Sequence, residues 1–182
     1  FPYTTLFRSP RKTPRTAGRS SPRRICRGLL YNPNDYYYPH VDTAETFERL
    51  LEDLERFKTG FFCLNVQETD LAGHAQNPSR YIDRLNVSDQ YIGRIKEKLT
   101  KDDVMIVMAD HGNDPTTGSS KHTREKVPIL VYNQTIRDSI KEIGHRKTLA
   151  DVGQTVADYF NCKIEFGESF LEKIFDIKEV KL

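Results

Sequence analysis

Apolar positions along the chain follow two patterns. Between Asp42 and Phe57, the residues Phe47, Leu50, Leu51, Leu54 and Phe57 recur at helical spacing. Asp42 or Thr43 supplies an N-cap, and Lys58, Thr59 and Gly60 end the helix. Phe61 to Val66 is a short apolar run after a glycine, which predicts a buried strand. A polar loop follows, QETDLAGHAQNPSR. Tyr81 to Leu99 reads as a second helix, with Tyr81, Leu85, Ile92, Ile95 and Leu99 on its inner face. Val104 to Met108 predicts a second buried strand, followed by the polar loop ADHGNDPTTGSSKHTREK. Pro128 to Tyr132 starts a third short strand, and Leu149 to Phe160 is a third amphipathic helix. Residues 31–40, rich in Tyr and Pro, read as a loop.

Helices alternating with apolar strands predict an α/β domain with a mostly parallel sheet flanked by helices. Ligands of such sheets bind beyond the carboxyl ends of the strands. The two richest polar loops both leave such ends, which puts them side by side at the expected site.

With 37% hydrophobic and 30% charged residues, the chain can bury a core. No apolar run approaches a membrane span, and no signal peptide is visible. Cys26, Cys63 and Cys162 lie too far apart for a disulfide framework or a CxxC metal site, which fits a reducing cytoplasm. Cys63, within an apolar run, reads as core.

The net charge of +2 conceals an asymmetry. Residues 1–30 hold eight basic residues and no acidic one, which leaves the rest with a net charge of −6. A basic arm points to nucleic acid, but the acidic body argues against that partner. Phe1 to Ser9 resembles the translation of a sequencing-adapter oligonucleotide, and such scars stay outside fold reasoning. Residues 1–30 are therefore expected to be a disordered or artefactual segment that packs against nothing. Residues 31–182 form the globular part. The missing initiator Met suggests the C-terminal part of something longer.

The chemistry lies in the two loops. The first offers Asp70 and His74; the second offers Asp110, His111 and His122. This mixed nitrogen and oxygen set suits Zn²⁺ or Mn²⁺ better than Mg²⁺ or Ca²⁺. Paired ions are a usual device of phosphoryl chemistry. Standing alone, Asp110-His111 reads as a solvated loop. Asp70 and His74 could be a helix-surface pair, although Gly73 and the preceding strand argue against a helix. His40 and His145 read as surface histidines.

ETDLAGH, MADHGNDPTTGSSKHTREKVPILVY, RKTLADVGQTVADYF and GESFL resemble the metal-binding half of the alkaline-phosphatase-like superfamily over about residues 40–175. ADHGNDPT followed by HTRE and VP is most similar to the phosphopentomutase family. Asp-Leu-Ala-Gly-His departs from it, with one residue fewer between Asp and His. That spacing is closer to cofactor-independent phosphoglycerate mutases.

The resemblance implies an isomerase with two divalent ions, usually Mn²⁺. Asp70, His74 and His122 would bind one ion, and Asp110 and His111 the other. It implies a phosphorylated Thr or Ser that does not map on to this chain, so no catalytic nucleophile is assigned. The implied substrate is a phosphorylated sugar, with ribose 1-phosphate and ribose 5-phosphate as the interconverted pair. A phosphoglycerate mutase or a phosphatase of the same superfamily is the alternative.

Overall fold

The computed structural model describes residues 3–8, 41–136, 142–162 and 164–175. The elements are β1 (Tyr3–Arg8), α1 (Thr43–Arg56), β2 (Gly60–Asn65), α2 (Gln67–His74), α3 (Pro78–Lys98), β3 (Asp103–Met108), β4 (Ile129–Tyr132), α4 (Ala150–Tyr159) and α5 (Leu171–Ile174). Among the described residues, no helix is long and apolar enough to cross a membrane.

Helix α1 starts where its cap predicts: the Asp42 carboxylate accepts a hydrogen bond from the Glu45 backbone N–H at 2.9 Å. Phe47, Leu50, Leu51 and Leu54 are all buried. The Phe47 ring stacks on Tyr91 of α3 at 5.3 Å between centroids. Helix α3 begins three residues earlier than the apolar pattern indicates. Asn77 caps it, and Pro78, which lacks an N–H to satisfy, sits in its first turn.

The four strands lie in the order β2-β1-β3-β4. The α/β architecture is as expected, but the sheet is not mostly parallel: every pairing of adjacent strands is antiparallel. The reason is β1. It enters between β2 and β3 and runs opposite to both. Strands β2 and β3 therefore still point the same way, joined by the helical crossover through α2 and α3. Asn65 and Met108, at their carboxyl ends, both pair with Tyr3, so the two ends are level.

The expectation that residues 1–30 pack against nothing fails at β1, where Leu6 is fully buried. Residues 9–40, and with them most of the basic segment, the predicted loop and His40, lie outside the described residues.

Strand β3 is buried throughout. Its side chains alternate between two cores, as the two-residue period of a strand requires. Met105 and Val107 join Leu6 and the apolar faces of α1 and α3. Val104, Ile106 and Met108 join Val152, Val156, Phe170 and Ile174 around α4 and α5. Each fully buried aliphatic side chain contributes about 1.5–3 kcal/mol.

Strand β2 departs from its expected burial. Phe62 and Leu64 pack on the first core, whereas Phe61 and Cys63 on the other face are exposed. The second core is built over β3 and does not extend that far. An apolar run read as buried on both faces is here an edge strand covered on one.

The tail motifs brace the fold rather than a site. The Arg146 guanidinium pairs with the buried Asp151 carboxylate at 2.9 Å. The Glu168 backbone N–H donates to the other Asp151 oxygen at 2.9 Å.

Candidate metal centre

The level ends of β2 and β3 launch the two segments that carry the candidate ligands. The first is not a loop. QETDLAGH forms α2, so Asp70 and His74 stand one turn apart on a helix face. Gly73 is tolerated in this helix because a neighbour takes the space of its missing side chain. A Cβ there would lie 2.4 Å from the Asn113 side-chain amide.

Helix α2 is anchored by Glu68, whose carboxylate is mostly buried. It accepts hydrogen bonds from the Thr43 backbone N–H and hydroxyl, both at 2.9 Å. It also pairs with Arg80 at 3.2 Å and Arg84 at 3.1 Å. Burial pushes this carboxyl up, but the Thr43 and arginine hydrogen bonds outweigh it and hold its pKa at about 2.

The second segment leaves β3 and doubles back. Gly112 and Thr123 form an isolated antiparallel bridge, with the Thr123 N–H donating to the Gly112 carbonyl at 3.0 Å. Their neighbours His111 and His122 are thereby brought together, and their rings stack at 3.6 Å and 17°. Gln76, at the end of α2, donates from its side-chain amide to the carbonyls of Gly73, Asp114 and Ser119 at 3.0, 3.2 and 2.6 Å. This stitches the two segments to each other.

All five expected residues converge. The Asp70 carboxylate lies between the imidazoles: Oδ2 is 3.2 Å from His74 Nε2, and Oδ1 is 3.6 Å from His122 Nε2 and 4.0 Å from His111 Nε2. Asp110 Oδ2 is 3.5 Å from His111 Nε2. Ligand atoms of Asp70, His111 and His122 all fall within 4.8 Å of one another. This trio cuts across the expected division of ligands between two ions and makes Asp70 the shared centre of the cluster.

The donor chemistry fits a divalent cation. His74 Nδ1 lies 2.7 Å from the Ser120 carbonyl, and His111 Nδ1 lies 3.1 Å from the Gly112 carbonyl. A carbonyl can only accept, so in the neutral rings the proton sits on Nδ1 and Nε2 offers a lone pair. His122 Nε2 faces His74 Nε2 at 3.1 Å. Two imidazoles bound at ~2.0–2.1 Å to one ion hold their nitrogens about 3 Å apart, which matches that spacing.

Sequence reasoning missed the supports. Asn113 is buried, and its side-chain N–H groups donate to the Asp70 carboxylate at 2.7 Å and the Asp70 backbone carbonyl at 3.1 Å. The only signal in the sequence was its place within ADHGND. Glu68 and Gln76 carried none, because the partners that tie them to other segments, Thr43 and Ser119, are 25 and 43 residues away.

A family model for the metalloenzyme superfamily matches residues 33–164. Over 131 residues the chain is 41% identical to a phosphopentomutase of Clostridium perfringens (strain SM101 / Type A). That match covers 70% of this chain and 33% of the relative, so the chain spans about a third of the length of the curated relative it matches.

Proposed function

The chain belongs to the metalloenzyme superfamily, and on that premise we propose that it is the metal-binding part of a cytoplasmic phosphopentomutase-like isomerase. The substrate class is a phosphorylated sugar, with ribose 1-phosphate converted to ribose 5-phosphate. Residues 31–182, with β1 paired into their sheet, form part of its core domain.

The observation that carries this reading is the convergence of Asp70, His111 and His122 ligand atoms within 4.8 Å. The resemblance would give Asp70, His74 and His122 to one ion and Asp110 and His111 to a second; with Asp70, His111 and His122 grouped together, Asp70 would lie between the two. The nitrogen and oxygen donor set favours Mn²⁺ or Zn²⁺. When bound, such ions stabilise the attacking and leaving oxygens and the charge on the transferred phosphoryl group. The chain's own part is to present the donors. The Ser120 and Gly112 carbonyls fix the tautomers of His74 and His111, and Asn113 donates a hydrogen bond to the Asp70 carboxylate. The nucleophile is a Thr or Ser that the resemblance does not map on to this chain.

The short Asp-Leu-Ala-Gly-His spacing favours a second reading, a phosphoglycerate mutase of the same superfamily. Isothermal titration of the chain with Mn²⁺ and with Zn²⁺ tests the metal reading. Binding that disappears in Asp70→Asn supports it; a chain that binds neither ion overturns it. Assays of the longer enzyme with ribose 1-phosphate and with 3-phosphoglycerate decide between the substrates.

A further inference from the structure

The sequence breaks two local rules at one point. Gly73 lies in the last turn of α2, where glycine is a weaker helix former than alanine. The Asn113 side-chain oxygen is buried with no hydrogen-bond partner among the described residues, which is unfavourable for a polar atom. Both departures serve the same contact. A Cβ on Gly73 would lie 2.4–2.6 Å from the Asn113 amide atoms. Only with that space free can the Asn113 amide reach Asp70, donating to its carboxylate at 2.7 Å and its backbone carbonyl at 3.1 Å.

We propose that Asn113 is a positioning residue for Asp70, and that Gly73 is glycine to admit it. The inference rests on the metal reading above. The Asp70 carboxylate could otherwise swing away from the histidines, since its side chain is 29% exposed. One N–H of Asn113 takes a lone pair of Oδ1. That keeps Oδ2 beside His74 Nε2 and Oδ1 on the side of His111 and His122. The second N–H grips the Asp70 backbone, so the amide fixes the carboxylate relative to its own main chain. Local departures from good stability rules are expected where a site must be held in one geometry.

The test is Mn²⁺ affinity by isothermal titration, with Co²⁺ absorption as a report on coordination geometry. The thermal transition is measured without metal alongside. Asn113→Ala is expected to weaken binding by about 10–100-fold, the usual effect of losing a group that orients a ligand, and to shift the Co²⁺ bands. Gly73→Ala is expected to weaken binding in the same way by displacing the amide. In Asn113→Ala the added methyl has room, so the double variant should bind no more weakly than Asn113→Ala alone. A purely structural Asn113 would lower the metal-free transition and leave the affinity and spectrum of the folded protein unchanged. That result overturns the proposal, as does independent weakening by Gly73→Ala in the Asn113→Ala background. No binding by the unaltered chain overturns the metal reading and this inference together. Equal binding by the unaltered chain and Asn113→Ala overturns this inference alone.

Discussion

His111 and His122 stack face to face at 3.6 Å, eleven positions apart in the chain, because the residues beside them, Gly112 and Thr123, form a backbone bridge. The glycine leaves room for a neighbouring side chain. A Cβ on Gly112 would lie 2.3 Å from the Glu125 carboxyl group, which itself accepts a hydrogen bond from the Thr123 hydroxyl at 2.7 Å. That carboxyl group ends an exposed side chain that can swing aside, so Gly112→Ala is expected to break the Thr123–Glu125 hydrogen bond and to leave Mn²⁺ or Zn²⁺ binding within about twofold. Stability should change by no more than about 0.5 kcal/mol, the usual range for an exposed contact. Titration calorimetry and urea unfolding measure the two effects separately.

Leu6 is fully buried at the centre of the sheet, on a strand that pairs with β2 on one side and β3 on the other. Leu6→Ala should destabilise the chain by about 2–4 kcal/mol through lost burial and the cavity left behind. Equilibrium unfolding in urea checks this. A change within error would mean that β1 contributes nothing to the stability of the sheet.

Glu68 gives the fold an acid-sensitive anchor. Its folded-state pKa, about 2, lies below the ordinary value of 4.5. A depressed carboxyl contributes its stability above the unfolded-state value and loses it as the pH falls through the folded one. Glu68→Gln should therefore cost most near neutral pH, about 2–4 kcal/mol for breaking a mostly buried, arginine-paired carboxylate. The gap between variant and unaltered chain should close as the pH falls from 4.5 towards 2. Urea midpoints at several acid pH values measure it; a gap independent of pH would contradict the assignment.

The 182-residue chain itself is expected to turn over no ribose 1-phosphate. The proposed reaction needs a phosphorylated Thr or Ser for which the chain offers no match, and members of such a catalytic unit act together. A coupled assay for ribose 5-phosphate with added Mn²⁺ is the measurement, with Asp110→Ala as control. Turnover that disappears in the variant would place the nucleophile within this chain.

The sequence by itself determined the elements and the ligand inventory. The spacing of Phe47, Leu50, Leu51 and Leu54 and the cap at Asp42 define α1 from within about one turn each way. Local periodicity also marked β3 and α4, and the two polar segments displayed every residue of the proposed site. Tertiary structure decided what no local pattern encodes. Strand direction depended on β1 entering between β2 and β3, a pairing across a long stretch of chain. The exposed face of β2 depended on how far the second core extends. The helix at Asp70 looked unfavourable because Gly73 weakens any isolated helix. It forms because Asn113 fills the space beside that glycine and Glu68 is held by Thr43, Arg80 and Arg84. Propensity is worth tenths of a kcal/mol per residue, whereas buried hydrogen bonds to a charged group are worth about 1.5–3 kcal/mol each. At α2 the distant partners therefore outweigh the local preference.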